Sequence, residues 1–258
     1  MPNHPIVFLM YHELEIPGRP LCQSEPGYAR YVLKEAEFRA QIDQLHQNGW
    51  HGLSVGDALS FPAGRNVAIT FDDGCETDLL AAAPILRRAG FNATFFVTCG
   101  RLGNRGHLSQ AQLQELSGQG FEIGCHSMTH PYLTDLDESS LRYEISDAKV
   151  QLEQIVGVPV HHFSCPGGRC DQRVVNVARA AGYRTVTTSR IQANSRNTDV
   201  FALGRVAMLR DATLSAFAGI CDGARLPRMR AHSLFRDGAR QILGNSLYDR
   251  VRARLLHH

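Results

Sequence analysis

The fold of this chain is decided by the stretch VAITFDDG at residues 67–74. Its apolar first part is typical of a buried strand, and Asp72 and Asp73 follow where the strand ends. In parallel α/β folds the chemistry gathers at this carboxyl edge of the sheet. Neighbouring side chains of an extended strand point in opposite directions, so adjacent carboxylates can share one site only where the strand breaks. Gly74 offers such a break.

A second strand-like run, FEIGCHSMTH at residues 121–130, contains His126 and His130 at its end. Two imidazoles and a carboxylate form a three-ligand set with room for a bound water, which is the pattern of a catalytic metal site. Taken singly, the acidic pair could belong to a turn or a helix N-terminus, and each histidine could be an ordinary surface or hydrogen-bonded core residue. Taken together, the four residues favour a metal site.

Strand and helix patterns alternate along most of the chain, beginning with the apolar run Ile6–Tyr11. This alternation predicts a parallel sheet with right-handed crossover connections. A length of 258 residues and a hydrophobic content of 43% suit one α/β barrel-type domain. We predict this domain over residues 1–223, followed by a basic helical extension over residues 224–258 that packs on it.

The motifs TFDDG at residues 70–74 and HSMTH at residues 126–130 resemble the first two motifs of the NodB-homology polysaccharide deacetylase family. The resemblance extends over roughly residues 5–208. It implies a distorted (β/α)7 barrel and a metal-dependent hydrolase that removes acetyl groups from N-acetylated sugars. It also implies Asp72 as the general base and Asp73, His126 and His130 as metal ligands. Zinc is the metal that such a donor set favours, with cobalt, nickel and iron as alternatives.

The third motif departs from the family pattern. Where the family usually has Arg-x-Pro-x-Gly, this chain has SCPGG at residues 164–168, so a serine replaces the arginine that orients the base. Arg169 and Arg205 are the candidates to compensate. We predict that both arginines help to bind substrate, together with the turn residues Pro166, Gly167 and Gly168. The alternative is that Pro-Gly-Gly is only a turn.

The last family motif, Leu-x-His, is missing, because the corresponding stretch LGRVAML at residues 203–209 has no histidine. An amine leaves poorly unless it is protonated, so another acid is needed. We predict His12, which follows the first strand, and keep His232 as the alternative; either could instead be an ordinary histidine. The preceding Tyr11 is predicted to bind substrate. The Met-Tyr-His element resembles the family branch with surface poly-glucosamine deacetylases, which also departs from the third and fifth motifs.

Composition limits the partners. The net charge of +2 gives no reason to expect nucleic acid binding. No apolar run approaches the roughly 20 residues of a membrane span, and the N-terminus lacks the features of a signal peptide, so we predict a cytoplasmic protein. Seven cysteines without a CxxC pair suggest free thiols and argue against a zinc–thiolate site.

The C-terminal segment is basic, with eight arginines and no lysine between residues 225 and 258. Residues 246–256 predict an amphipathic helix. Such a helix could make peripheral contact with an anionic membrane or a lipid-linked substrate, but we favour docking on the barrel.

The sequence therefore predicts a cytoplasmic metal-dependent deacetylase that acts on an amino sugar during the assembly of exopolysaccharide, lipopolysaccharide or a related glycan. The substrate would be an N-acetylated sugar or glycan, free or lipid-linked. Two alternatives stay open: a hydrolase of a non-sugar amide, and a catalytically inactive glycan-binding member of the family.

Overall fold

The computed structural model describes residues 5–23, 27–60 and 64–231. Within these ranges the strands are β1 (Ile6–Tyr11), β2 (Leu14–Glu15), β3 (Leu33–Lys34), β4 (His51–Leu53), β5 (Asn66–Phe71), β6 (Thr94–Val97), β7 (Glu122–Cys125), β8 (His162–Ser164), β9 (Thr185–Thr187), β10 (Ala193–Asn194) and β11 (Val206–Ala207). The α-helices are α1 (Glu35–Gln47), α2 (Val55–Ser60), α3 (Ala83–Ala89), α4 (Gln110–Gly118), α5 (Glu138–Arg142), α6 (Ala148–Val156), α7 (Gln172–Ala180) and α8 (Leu214–Cys221). Two π-helical segments, Asp78–Ala82 and Tyr143–Asp147, lead directly into α3 and α6.

One sheet has the order β10-β1-β5-β6-β7-β8-β9, with β4 beside β5 and β11 beside β1. Its strand pairings are parallel except for that of β1 with β10. Thr187 of β9 pairs with Leu203, and the same segment continues into β11, where Val206 pairs with Leu9 of β1. The sheet therefore curls back on itself. This confirms the predicted α/β fold, a distorted (β/α)7 barrel formed by β1, β5–β9 and β11.

Side chains of the barrel strands alternate between two apolar clusters, as the period of two requires. Phe8 of β1 packs with Ala68 and Phe96 in the smaller cluster, which also receives residues of α2. Leu9 and Tyr11 belong to the larger cluster, which contains the buried faces of the outer helices. His12 thus follows Phe8 on the interior side of the barrel, whereas Tyr11 faces the helical layer.

The amino end of the barrel is filled by a buried polar network. Glu122, the first residue of β7, accepts hydrogen bonds from the amide of Gly56 (3.1 and 3.2 Å) and lies 3.3 Å from Nε2 of His162. His162 in turn contacts the hydroxyl of Thr185 at 2.8 Å. This end of the barrel is therefore occupied by structural contacts, and the carboxyl end is left for the candidate site.

The predicted basic helix at residues 246–256 and His232 lie outside the described residues. Leu226, near the start of the predicted extension, is buried in the larger apolar cluster. Among the described residues, no helix combines the length and the apolar character that a membrane crossing requires.

Candidate metal and catalytic site

Asp73, His126 and His130 come together at the carboxyl end of the barrel. Their ligand atoms all lie within 4.8 Å of one another. Oδ1 of Asp73 is 3.4 Å from Nε2 of His130 and 3.9 Å from Nε2 of His126. Nδ1 of His126 contacts the carbonyl oxygen of Ser164 at 2.9 Å, which places the imidazole proton on Nδ1 and leaves Nε2 free to bind a metal. The donor set therefore fits a divalent metal ion with positions open to water.

The backbone at and beside these residues is unusual. Asp73, Ser127 and His130 have φ angles of 81°, 68° and 70°, in the left-handed region that non-glycine residues rarely adopt. Each such residue costs on the order of 1–3 kcal/mol and persists only where surrounding contacts hold it. At Asp73 this conformation turns the chain away from the direction of β5, so its carboxylate can share a site with that of Asp72. The break thus begins at Asp73 itself, one residue earlier than the sequence predicts.

Glu144 holds the loop that carries the two histidines. Its buried carboxylate accepts hydrogen bonds from the amides of Met128 (2.9 Å) and Thr129 (2.8 Å) and from the Thr129 hydroxyl (2.6 Å). Glu144 lies in the π-helical segment before α6, and such segments are frequent at functional sites. The Ser127 hydroxyl also accepts a bond from the His130 amide at 2.9 Å. Sequence reasoning missed Glu144, because nothing in its neighbourhood marks it out.

Asp72 forms a bidentate ion pair with Arg205, in which both nitrogen–oxygen distances are 2.7 Å. Arg205 is 1% exposed, and it also donates to the Thr70 hydroxyl at 3.2 Å and the Thr188 carbonyl at 3.3 Å. Burial alone favours the neutral carboxyl, but the charges of Arg205 and His126 outweigh it and hold the pKa of Asp72 well below its usual range. Asp72 is therefore an ionised carboxylate with its Oδ2 3.8 Å from Nε2 of His126.

Ser164 leaves space for the guanidinium of Arg205. The Ser164 hydroxyl accepts a hydrogen bond from Nη2 of Arg205 at 2.8 Å and lies 3.4 Å from Oδ2 of Asp72. Of the two arginines considered as substitutes for the family arginine, the structure brings Arg205 to Asp72. Its predicted direct contact with substrate is not supported, because its side chain is enclosed and fully engaged.

His12 faces the same site from the end of β1. The charges of Asp73, Asp72, Arg205 and His126 all act on it, and its Nδ1 is buried with no hydrogen-bond partner among the described residues. Burial lowers the pKa of His12, while the two carboxylates oppose that shift. The structure therefore brings His12 to the site as a neutral imidazole with a free ring nitrogen.

Two further side chains bind Asp73. The amide of Gln23 donates to Oδ2 at 3.0 Å, and Arg101 contacts Oδ1 at 3.4 Å. Sequence reasoning named neither, because both lie in segments without a recognisable motif. Burial and the neighbouring His126 lower the pKa of His130 to about 4. His130 is therefore in the neutral form that a metal ligand requires.

The predicted substrate-binding turn follows β8. Pro166–Gly168 form one 3₁₀ turn in which Gly167 and Gly168 have φ angles of 61° and 69°. A Cβ at Gly168 would lie 1.9 Å from Oγ of Ser189, so only glycine fits there. The next residue, Arg169, stacks its guanidinium 3.4 Å above the ring of Tyr132. The turn and the Arg169–Tyr132 stack thus form a unit, and Tyr132 stands two residues after His130 in the chain.

The position of Tyr11 does not support its predicted role in substrate binding. Its ring is fully buried against Phe38 of α1 and Phe71 of β5, and its hydroxyl donates to Oε1 of Gln41 at 2.8 Å. The reason is the period of two along β1, which directs Tyr11 to the helices and His12 to the site.

Known proteins are similar to this chain in sequence and in fold. The family model described as polysaccharide deacetylase matches residues 62–186. The putative polysaccharide deacetylase YxkH of Bacillus subtilis is 29% identical over 223 residues, which cover 84% of this chain and 76% of YxkH. The peptidoglycan-N-acetylglucosamine deacetylase of Bacillus cereus is 36% identical over 124 residues, which cover 48% of this chain and 56% of that protein.

Among solved structures, the deacetylase PplD of Streptococcus pyogenes superposes with a TM-score of 0.75 at 22% identity, covering 85% of this chain and 99% of PplD. At this identity the likeness shows a shared fold. Together with the two motifs at the carboxyl end of the barrel, the matching family model assigns residues 62–186 to the polysaccharide deacetylase family, of the NodB-homology type.

Proposed function

We propose that this protein is a metal-dependent deacetylase that hydrolyses the N-acetyl group of an amino sugar in a glycan. The observation that carries the proposal is the ionised Asp72, held by Arg205 and directed at the cluster of Asp73, His126 and His130. A buried carboxylate next to an open three-ligand set is what amide hydrolysis requires: a base beside an activated water.

A divalent metal at Asp73, His126 and His130 would lower the pKa of a water molecule and polarise the acetyl carbonyl. Asp72 accepts the proton of the attacking water, and its low pKa means that it is ionised at neutral pH. Arg205 orients both carboxylate oxygens and takes no proton itself. Glu144 keeps the loop of His126 and His130 in its strained conformation.

His12 is the group best placed to protonate the departing amine. It reaches the site from β1, and within the described residues the segment at 203–209 offers no histidine that could do so instead. The free ring nitrogen of His12 can take up a proton and pass it to the leaving nitrogen.

Replacing His12 by glutamine should lower kcat about 100-fold and remove the alkaline limb of its pH profile. Burial lowers the pKa of His12 from its usual value, so the protonated acid is lost as the pH rises through that lower value. Wild-type kcat should therefore fall with rising pH, whereas that of His12→Gln should not. Measurement of kcat against pH checks this, with His46→Gln on the exposed face of α1 as the control. An unchanged alkaline limb in His12→Gln would assign the acid to another group.

The glycan would lie against the Pro166–Gly168 turn and the partly exposed ring of Tyr132, which Arg169 holds in place. Aromatic rings offer sugars a flat apolar surface. The similarity to a protein named as a peptidoglycan-N-acetylglucosamine deacetylase supports an N-acetylglucosamine-type substrate. Zinc as the metal, a cytoplasmic location, and a role in exopolysaccharide or lipopolysaccharide assembly stay predictions from the sequence.

The alternative of an inactive glycan-binding protein loses part of its motivation, because Arg205 supplies the cation that position 164 lacks. The proposal is tested by acetate release from N-acetylated monosaccharides, nucleotide sugars and short oligomers, with zinc-loaded and metal-stripped protein side by side. We expect acetate only from the loaded protein and recovery when zinc is restored. Bound metal without acetate from any of these sugars would reject the proposal in favour of binding alone or of a non-sugar amide.

A further inference from the structure

A second group of potential metal ligands lies close to the first. We propose that Glu13, Cys22 and Cys75 form a separate site for a divalent cation that binds thiolate ligands, and that this cation is Zn²⁺. This site is independent of the acetyl-hydrolysing chemistry, and it joins three parts of the chain: the end of β1, the loop after β2 and the segment after β5.

The geometry of the trio suits a metal ion. The ligand atoms of the three residues lie within 4.8 Å of one another, and the two sulfur atoms are 3.1 Å apart. Zinc–sulfur bonds of about 2.3 Å in a tetrahedron place two sulfurs about 3.8 Å apart, so a small separation of the thiols would complete the site. Glu13 is already fixed beside Cys22, whose amide donates to both carboxylate oxygens at 3.0 and 3.1 Å.

A buried carboxyl group without a hydrogen-bond partner is an independent sign of a cation site here. Asp78 is 1% exposed, and neither of its oxygens has a hydrogen-bond partner among the described residues. Burial, together with the charges of Cys22, Asp73 and Glu13, raises the pKa of Asp78 well above its usual range, and its amide donates to the Cys75 carbonyl at 3.0 Å. Buried carboxylates are normally paired or hydrogen-bonded. A cation held by the trio would supply the opposite charge, and a water on its open position could donate to Asp78.

Tyr28 completes the surroundings of the two sulfurs. Its hydroxyl lies 3.1 Å from Sγ of Cys22 and 3.7 Å from Sγ of Cys75. With both sulfurs as thiolates, this hydroxyl is a donor to them, in the manner of the outer hydrogen bonds that support metal ligands. Each thiol gives up its proton to solvent as the metal binds.

The two candidate sites differ in chemistry. Asp73, His126 and His130 offer one oxygen and two nitrogens, whereas the trio offers two sulfurs and one oxygen, a softer set that favours zinc or cobalt over magnesium or calcium. The sequence pattern argues against a thiolate site, because Cys22 and Cys75 are 53 residues apart and form no CxxC pair. Only the fold brings them together.

A metal ion at the second site would hold the loop that contains Cys22 in place. Cys22 is followed by Gln23, whose side chain binds the ligand Asp73. Cys22 also packs so closely on Gly106 that a Cβ there would lie 2.7 Å from its Cα. A metal at the trio would fasten this loop to the segment after β5 and so fix Gln23 against the first site.

The test is titration of the reduced, metal-stripped, full-length protein with Co²⁺, because cobalt–thiolate bonds give a charge-transfer band in the near ultraviolet that histidine and carboxylate ligands do not. We expect two Co²⁺ per chain and the thiolate band. Cys22→Ser and Cys75→Ala should each lose the band and one equivalent. Asp73→Asn should keep the band and lose the other equivalent, and Cys99→Ser, which changes a buried thiol outside the trio, should keep both.

Three results would overturn the proposal: a single equivalent without the band, a band that survives both cysteine variants, or a Cys22–Cys75 disulfide that persists under reduction. None of these readouts depends on acetate release. Failure of the second site and failure of the proposed deacetylase are therefore distinguishable.

Discussion

Replacing Asp72 by asparagine is expected to lower kcat about 10³–10⁴-fold while the metal stays bound. The amide keeps the shape of the carboxylate but cannot accept the proton of the attacking water, and general-base catalysis contributes up to about this factor. The proposed ligands Asp73, His126 and His130 are untouched, so the metal content should stay at the wild-type value.

Acetate release and metal content measured on the same preparations check this expectation. The matched control is Asp73→Asn at the neighbouring position, which should lose both metal and activity because it removes a ligand. A loss of metal from Asp72→Asn would make Asp72 a ligand rather than a base. A kcat within tenfold of wild type would remove it from the chemistry altogether.

Replacing Arg205 by methionine should reduce the free energy of unfolding by about 3–5 kcal/mol, since it leaves the buried Asp72 without its cation. The Arg205 side chain is 0% and the Asp72 side chain 3% exposed, so solvent cannot compensate for the lost partner. In the wild type the pKa of Asp72 is depressed, so its stabilising effect is present at neutral pH and is lost only as the pH falls far into the acid range. In the variant, burial raises that pKa, and the difference in stability should shrink as the pH is lowered.

Denaturant unfolding at neutral and at mildly acidic pH measures this difference. Arg142→Met serves as control, because the exposed Arg142–Glu138 pair should contribute no more than about 1 kcal/mol. The double variant Asp72→Asn with Arg205→Met should be more stable than the sum of the single effects predicts, since the two residues are coupled. Strict additivity would mean that the ion pair contributes nothing.

The sequence predicts the fold well because its strongest signals are local. Apolar runs ending in polar residues mark the carboxyl ends of β5 and β7, and the barrel places these ends together. The same alternation rule places Tyr11 and His12 on opposite sides of β1, although both residues are predicted from the sequence to lie at one site. An alternation argument applied to β1 would have placed Tyr11 in the core.

What the sequence could not predict depends on contacts across long separations. The partner of Asp72 is 133 residues away, and it could be named only as one of two candidates. Glu144 acts on the histidine loop from a helix whose pattern is ordinary. The left-handed conformation of Asp73 is imposed by its surroundings, since nothing in an aspartate demands it.

The arginine that pairs with Asp72 can stand at position 164 or at position 205, and this choice limits which single substitutions such a barrel can accept. The family arginine would stand at position 164, whereas here the cation comes from Arg205 and Ser164 vacates the space. A chain with arginine at both positions would bury two cations against one carboxylate, and a chain with neither would bury the carboxylate alone. Either intermediate would sacrifice several kcal/mol of a total stability of only about 5–15 kcal/mol. Each single-substitution intermediate between the two arrangements is therefore less stable than either of them. Evolution from one arrangement to the other would require a protein whose free energy of unfolding exceeds this loss.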